Sequence, residues 1–119
     1  MNHDEYYNLE ERCFEFAKRV RAFLKTVPRT IANIEDGKQL VRCSGSVGAN
    51  YIEANEAVSD KDCTYRMKVS RKEAKESRFF LRLIDTGGSS EAENERKALC
   101  QEATELTKIF GSMIRKREQ

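Results

Sequence analysis

The chain has 119 residues and a net charge of +2; 35% of the residues are charged, 8% are aromatic and one is proline. This length fits one domain, residues 1–119, and the apolar residues recur too regularly for a disordered chain. No apolar run of about 18 residues occurs, so we expect no membrane-spanning helix. The acidic start, MNHDEYYNLEER, lacks the apolar stretch of a secretory signal, and we expect a cytoplasmic protein.

Residues 8–26 form the first predicted helix. Asn8 with Glu11 three positions later matches a helix N-cap, and Pro28 ends the helix because proline disfavours helical geometry in the residue before it. The apolar residues of this segment recur at steps of four and three: Leu9, Cys13, Phe16, Val20, Phe23 and Val27. This period predicts one buried face.

The second predicted helix covers residues 30–58 and begins at Thr30, with Asp36 and Gly37 as a point where its first turns could bend. We expect its apolar side to hold seven residues: Ile31, Ile34, Leu40, Val41, Val47, Tyr51 and Ile52. Gly45 and Gly48 lie in the same narrow stripe as Val41 and Ile52, and each glycine destabilises a helix by roughly 1 kcal/mol relative to alanine. We therefore predict that the two glycines mark a close contact with another helix.

Residues 62–85 form the third predicted helix, after a polar turn in which Ser59 and Asp62 have capping spacing. Its seam alternates steps of three and four: Met67, Ser70, Ala74, Ser77, Leu81 and Ile84. The small centre of this seam matches the small stripe of the second helix, and we expect the two to pack together.

The fourth predicted helix, residues 90–116, follows the break DTGGSS and begins with Ser90 and Glu93 as a capping pair. Its seam is Leu99, Ala103, Leu106, Phe110 and Met113. Four helices of similar length joined by short loops predict an all-α fold, an antiparallel up-down-up-down four-helix bundle.

Two acids, Glu73 and Glu76, interrupt a second apolar stripe on the third helix. On the second helix Arg42, Asn50 and Glu53 lie in a matching polar stripe. Because a buried charge is costly unless it is paired, we expect Arg42 to pair with Glu73 or Glu76 in a partly buried network. The alternative is that both acids face solvent.

The third helix carries more apolar surface than one seam needs. Phe79, Phe80 and Leu83 lie beside the seam residues Leu81 and Ile84 and make this end apolar around much of its circumference. Such an excess usually marks a protein–protein surface, and we expect self-association into a closed ring.

No cofactor, metal or catalytic centre is expected. The four cysteines, Cys13, Cys43, Cys63 and Cys100, form no CxxC pair and are interpreted as small, half-buried apolar residues. Paired glutamates on one helical face are typical of di-iron bundles, but those sites also need Glu-x-x-His motifs, and the only histidine is His3. No histidine is placed as a catalytic base, so we expect a protein that is not an enzyme.

Basic residues are concentrated in the first and third helices. Residues 12–29 carry six basic side chains and one acidic side chain. Residues 66–82 carry seven basic side chains, of which Arg82 is the last, and two acidic ones. Such stretches suit phosphate binding, although charged helix faces are also commonly only solvated. The candidate nucleic-acid-binding residues are Lys18, Arg19, Arg21, Lys25, Arg66, Lys68, Arg71, Lys72, Lys75 and Arg78.

Two segments identify a resemblance. Residues 42–54, RCSGSVGANYIEA, closely resemble the signature LxRSxxSVGANYxEA of the bacterial four-helix-bundle proteins encoded in 23S rRNA intervening sequences. Residues 72–83, KEAKESRFFLRL, are similar to that family's KEAxETxYWLxLL, and residues 8–17 resemble its opening helix. The resemblance covers residues 6–114. The chain departs from the pattern at Cys43, Cys63, Arg66 and Phe79–Phe80.

The resemblance implies the same bundle and a homo-oligomer, since family members are associated with homopentamers. It also relates the chain to the accessory variability proteins of diversity-generating retroelements, which are associated with nucleic acid and a reverse transcriptase. We therefore expect a non-enzymatic module that binds nucleic acid, RNA rather than DNA, through basic helix faces. The alternative is a protein-interaction or scaffolding module with no nucleic-acid ligand.

Overall fold

The computed structural model describes residues 3–119, with side chains described from Asn8 onward, so the His3 side chain named above lies outside the described residues. The chain forms four helices: α1 (His3–Leu24), α2 (Ile31–Asn55), α3 (Asp60–Leu83) and α4 (Ser90–Glu118). Within this described range the structure holds no strand. The predicted all-α, antiparallel four-helix bundle is confirmed.

Three helices begin at a side-chain cap. Thr30 accepts a hydrogen bond from the Asn33 N–H and Ser59 accepts one from the Asp62 N–H, at the predicted spacing. The cap of α4 is Ser89, whose hydroxyl accepts from the Ala92 N–H, so the prediction of Ser90 is wrong by one residue. Asn8 was also wrongly predicted as an N-cap, because α1 already begins at His3.

The core follows the predicted seams of α1, α3 and α4. Consecutive helices are neighbours and α1 closes the bundle against α4, with the most extensive packing between α2 and α3 and the least between α1 and α4. The seam residues of α3 and α4 are buried throughout. The faces formed by α1 with α2 and by α3 with α4 therefore lie on opposite sides of the bundle.

The apolar side of α2 is only partly buried. Leu40, Val47 and Tyr51 lie in the core, but Ile31, Ile34 and Ile52 are exposed. The prediction of one apolar side was wrong for these three. α1 packs on the face of α2 that holds Gly37, Gly45 and Gly48, and the three isoleucines lie at or beyond the edge of that contact.

Gly45 and Gly48 face α1. A Cβ on Gly48 would lie 3.0 Å from Cys13 Cβ, and one on Gly45 would lie 3.3 Å from Arg21 Nη2. The close helix contact at the glycines is therefore made with α1, and the expectation that they meet the small seam of α3 is wrong. That seam packs against the other side of α2, where Ser70 Oγ donates to the Val47 carbonyl at 2.8 Å.

One buried amide fixes an end of the bundle. Asn33 Nδ2 donates to the carbonyls of Pro28 and Asp85, at 2.9 and 2.8 Å, and Asn33 Oδ1 accepts from the Asp85 N–H at 2.9 Å. These three bonds tie the α1–α2 loop to the α3–α4 loop, and so they set where α3 ends relative to α4.

Candidate nucleic-acid interface

The edge of α3 that faces α4 is basic. Arg71, Lys75, Arg78 and Arg82 follow at i, i+4, i+7 and i+11, which places them on one side of the helix over about 16 Å. Arg71 Cδ approaches Gly111 of α4, lying 4.0 Å from the position that a Cβ there would take. This edge is therefore a row of cations running along the junction with α4.

A groove opens between α3 and α4 at the C-terminal end of this row. It encloses about 370 Å³ and we call it the α3–α4 groove. Its lining residues are Arg78, Arg82, Glu93, Arg96, Lys97, Cys100, Gln101 and Thr104. Four of these eight side chains are cations and one is an acid, so the groove is strongly positive.

The single acid of the α3–α4 groove is already engaged. Arg96 forms an ion pair with Glu93 and also donates to the Ile84 carbonyl, and Thr86 Oγ1 donates to Glu93 at 3.3 Å. The hydrogen bond from Arg96 is the main reason why the pKa of Glu93 is lowered. Arg96 thus neutralises Glu93 and anchors the end of α3.

The other cations of the groove are uncompensated. Arg78, Arg82 and Lys97 form no ion pair with any residue whose side chain is described. Three like charges around one cleft repel each other, and an anion bound between them would relieve that repulsion. The geometry favours a phosphate group as occupant, because all three side chains are hydrogen-bond donors and the one carboxylate that lines the groove, Glu93, is already bonded to Arg96.

Cys100 lies half-buried in the α3–α4 groove. Burial raises the pKa of its thiol, and the positive charges of Arg78, Arg96 and Arg82 oppose that change. Burial likewise raises the pKa of the Cys43 thiol, and that of Cys13 to about 12. These three thiols are protonated at neutral pH, and their environment is that of small apolar residues rather than nucleophiles.

The structure does not bring the ten predicted nucleic-acid-binding residues onto one surface. Arg19 pairs with Glu95 at 2.6 Å, Lys68 with Glu118 at 2.7 Å, and Lys72 with Glu76 at 3.9 Å. Arg66 lies 4.0 Å from Asp62 and donates to Asn50 Oδ1 at 3.1 Å. Lys18 and Arg21 lie on the opposite side of the bundle, between α1 and α2. Among the side chains that the structure describes, five of the ten make neither an ion pair nor a side-chain hydrogen bond: Lys18, Lys25, Arg71, Lys75 and Arg78.

Arg96 and Lys97 are functional candidates that the sequence reasoning missed. They lie in residues 83–107, a segment with more acidic than basic side chains, and a sum over that segment hides them. Helical periodicity could have identified Lys97, because positions 97, 104 and 111 are seven residues apart and lie on the same side of α4. Which helix that side faces is decided by the packing of the bundle.

Arg42 joins both acids of the second α3 stripe. Its guanidinium lies 3.5 Å from Glu73 Oε2 and 3.1 Å from Glu76 Oε2, and the hydrogen bond to Glu76 is the main reason why the pKa of Arg42 is raised. Glu73 is buried, with 7% of its side chain exposed. Asn50 bonds to Arg66 instead, and Glu53 is exposed and has no ion pair within the described part of the chain.

The α1–α4 contact is held by ion pairs. Arg12 makes two bonds of 2.7 Å to Glu102 and one of 3.0 Å to Glu105, and Arg19 reaches Glu95. The bonds from Arg12 and Gln101 lower the pKa of Glu105. Basic residues on this side of α1 thus serve the fold.

Two large apolar side chains project from the end of α3. Phe79 is 55% exposed and Leu83 is 50% exposed, while Phe80 is half-buried and meets the Phe79 ring edge-to-face at 5.2 Å. Part of the surplus apolar stripe is therefore at the surface, next to Arg78 and Arg82.

Two further observations concern the described residues. None of the four helices is long and apolar enough to cross a membrane. Within the same range, no group of three or more histidine, cysteine, aspartate or glutamate side chains is arranged to hold a metal ion.

The molecule is thus a four-helix bundle with a strongly basic groove between α3 and α4. Residues 6–112 match the model of the 23S rRNA-intervening sequence protein family, and the chain belongs to that family. A solved structure from Bacteroides thetaiotaomicron, described as a protein with unknown function from the S23 ribosomal protein family, is similar at 27% identity and a TM-score of 0.72. The similarity covers 89% of this chain and 97% of that one. No curated protein matches the chain.

Proposed function

We propose that the protein binds RNA through the α3–α4 groove and the basic edge of α3, without catalysing a reaction. The observation that carries this proposal is the set of three uncompensated cations, Arg78, Arg82 and Lys97, in one groove. The family takes its name from an insertion in 23S ribosomal RNA, and this favours RNA over DNA as the ligand.

The contacts would be made to phosphates rather than to bases. The lining of the α3–α4 groove contains no aromatic side chain on which a base could stack, and its three unpaired cations, Arg78, Arg82 and Lys97, are long and exposed. Phosphate contacts position a protein on nucleic acid without reading sequence. Binding is therefore expected to tolerate many sequences and to weaken steeply with salt, since each neutralised phosphate releases counterions.

Self-association would multiply this surface. Phe79 and Leu83 are exposed beside the basic edge, and burying them against a second copy removes apolar area from water. A ring of copies would present several α3–α4 grooves to one RNA molecule. The second and later contacts then form at a high effective concentration, so modest sites give tight binding.

The test is a titration of the purified protein with a structured ribosomal RNA fragment and with duplex DNA at several salt concentrations. The variant is Arg78→Gln/Arg82→Gln/Lys97→Gln. A matched control, Lys25→Gln/Lys61→Gln/Lys116→Gln, removes the same charge from exposed positions outside the groove. We expect the first variant to bind RNA at least about tenfold more weakly and to flatten the salt slope by about 2 to 3, and the control to change little.

Two outcomes would contradict the proposal. One is no RNA binding at low salt, and the other is an equal loss of affinity in both variants. Light scattering on the same samples gives the mass, for which self-association predicts several times 13.8 kDa. An oligomer without RNA binding would favour a protein-interaction module, for which the exposed Phe79 and Leu83 already provide surface.

A further inference from the structure

A long apolar groove lies on the opposite side of the bundle from the α3–α4 groove. Near the end of α1 it encloses about 400 Å³ between Leu24, Val27, Ile34 and Val41. One turn further along α2 a second cleft of about 470 Å³ opens, lined by Phe14, Ala17, Gly45, Gly48 and Ile52, among others. Between the two clefts the Arg21 side chain reaches from α1 to the Val41 carbonyl of α2. We call the two parts together the α1–α2 groove.

The shape of the α1–α2 groove suits a helix. At Gly45 and Gly48 α1 approaches α2 closely, and above this contact Phe14 and Ile52 stand at the sides of the groove with 56% and 48% of their surface exposed. From Ile34 to Ile52 the groove follows α2 for about 27 Å, or about five helical turns. A groove of this length with apolar walls is typical of sites that bind an amphipathic helix.

The charge around the α1–α2 groove indicates what kind of helix fits. Its lining residues include four cations, Lys18, Arg21, Arg29 and Lys38, against the single acid Glu10. Lys38 lies 3.4 Å from Glu35, but Lys18 and Arg29 have no ion-pair partner among residues with described side chains. The positive flank therefore complements carboxylates.

The two sides of α1 treat their cations differently. On the α4 side, Arg12 and Arg19 are paired with glutamates of α4. On the α2 side, Arg21 donates only to the backbone carbonyls of Ala17 and Val41, at 2.9 and 3.3 Å, and keeps its full charge at the groove. The surplus of positive charge is thus confined to the side where the groove is open.

We propose that the α1–α2 groove binds an amphipathic helix of a partner protein, with an apolar face and carboxylates along its edge. RNA is a poorer occupant, because phosphates gain nothing from the apolar walls formed by Phe14, Ile34 and Ile52. A second copy that docked by the end of its α3 is also disfavoured. Its Phe79 and Leu83 are flanked by Arg78 and Arg82, which would meet Lys18 and Arg21 with like charge.

The probe is a synthetic helical peptide of about 18 residues, with leucines at helical spacing on one face and glutamates beside them. A matched peptide carries lysines in place of the glutamates and keeps every leucine. Fluorescence anisotropy with the full-length protein measures both. We expect the glutamate peptide to bind at least about tenfold more tightly than the lysine peptide, and the difference to shrink as salt rises.

Two charge-reversal variants test whether the peptide binds at the α1–α2 groove. Lys18→Glu/Arg29→Glu reverses charge at the groove, and Lys61→Glu/Lys116→Glu makes the same change elsewhere on the surface. We expect about a tenfold loss of peptide affinity in the first and little change in the second. Phe14→Ala/Ile52→Ala removes only exposed apolar surface, so it should keep the helical circular dichroism of the wild type and still lose affinity.

Three results would overturn the proposal. The glutamate peptide does not bind, or the lysine peptide binds equally well, or Phe14→Ala/Ile52→Ala lowers the mass of the protein in light scattering. The last result would show that a second copy occupies the groove. RNA binding is expected to be unchanged in Phe14→Ala/Ile52→Ala, which separates this proposal from the function of the α3–α4 groove.

Discussion

The two edges of α3 carry similar numbers of charged residues and use them in opposite ways. On the edge facing α2, Glu73 and Glu76 are joined by Arg42, and Arg66 is bonded to Asn50. On the edge facing α4, Arg78 and Arg82 have no ion-pair partner within the described chain. Both edges belong to one helix, so the difference arises from what the neighbouring helix presents.

Whether a basic helix face can bind a ligand therefore depends on whether its cations are already paired with acids of neighbouring elements. On the α2-facing edge, which we call the closed edge, the charges are largely paired with each other. Arg42 joins Glu73 and Glu76, and Arg66 bonds to Asn50 although its buried Nε makes no hydrogen bond to any described residue, so few donors remain for a ligand. The α4-facing edge is an open set, because the acids near it, Glu93 and Glu118, are bound by Arg96 and Lys68. Only an open set of cations can bind phosphate without first breaking ion pairs.

The largest effect is expected when the closed edge loses its cation. Arg42→Ala leaves the buried Glu73 carboxylate without its ion-pair partner, and we expect a loss of about 2 kcal/mol in the free energy of unfolding. Arg82→Ala on the open edge should change it by less than about 0.5 kcal/mol. Urea denaturation followed by circular dichroism measures both.

Glu73→Gln provides the control for that experiment. In the Arg42→Ala background it removes the unpaired charge and should restore part of the lost stability. If Arg42→Ala alone costs less than about 0.5 kcal/mol, the α2-facing edge contributes no more than an exposed pair and the contrast between the edges fails.

A smaller effect is expected when the open edge is given an acid. Thr104→Glu puts a carboxylate into the α3–α4 groove, where it would pair with the cations without removing any of them. We expect RNA affinity to fall by about tenfold, as measured by anisotropy at low salt. Asn50→Asp adds the same charge beside Arg66 on the closed edge and should leave the affinity nearly unchanged. Equal effects of the two changes would show that only net charge matters.

The smallest effect concerns the thiol in the α3–α4 groove. Because the pKa of Cys100 is raised, we expect its alkylation by iodoacetamide to accelerate as pH rises and to continue doing so above pH about 9. Arg78→Gln/Arg82→Gln removes charges that oppose this rise, so the rate at pH about 8 should fall by roughly twofold.

A Cys63→Ser background keeps this measurement on one half-buried thiol, since Cys13 and Cys43 are buried. Arg42→Gln serves as the control, because its charge lies on the other edge of α3. A rate that is unaffected by Arg78→Gln/Arg82→Gln would indicate that these side chains point away from the groove.

The core was predictable because its signal is local. Steps of three and four along α3 and α4 place one face inward whatever the neighbours are, and all of those seam residues are buried. The stripe of α2 was harder. Its period was right, but Ile31, Ile34 and Ile52 stay exposed at or beyond the edge of the α1 contact, and periodicity cannot show how much of a face a neighbouring helix covers.

The candidate site was only half predictable. Arg71, Lys75 and Arg78 were identified from the charge of α3, whereas Arg96 and Lys97 come from a helix whose acids outnumber its bases nearby. The pairing of Arg19 with Glu95 depends on the contact between α1 and α4, whose partners are 76 residues apart. The net charge of one segment does not show whether a cation is paired with an acid from a distant segment or is unpaired.

The amide of Asn33 has a consequence for how the chain can vary in length. Its bonds to Pro28 and Asp85 hold two loops at a fixed distance, so an insertion between Pro28 and Asn33 or just before Asp85 would displace a hydrogen-bond partner of Asn33. At the other end of the bundle, residues 56–59 make only bonds to residues close in the chain, among those described. Lengthening of the protein during evolution is therefore expected between α2 and α3.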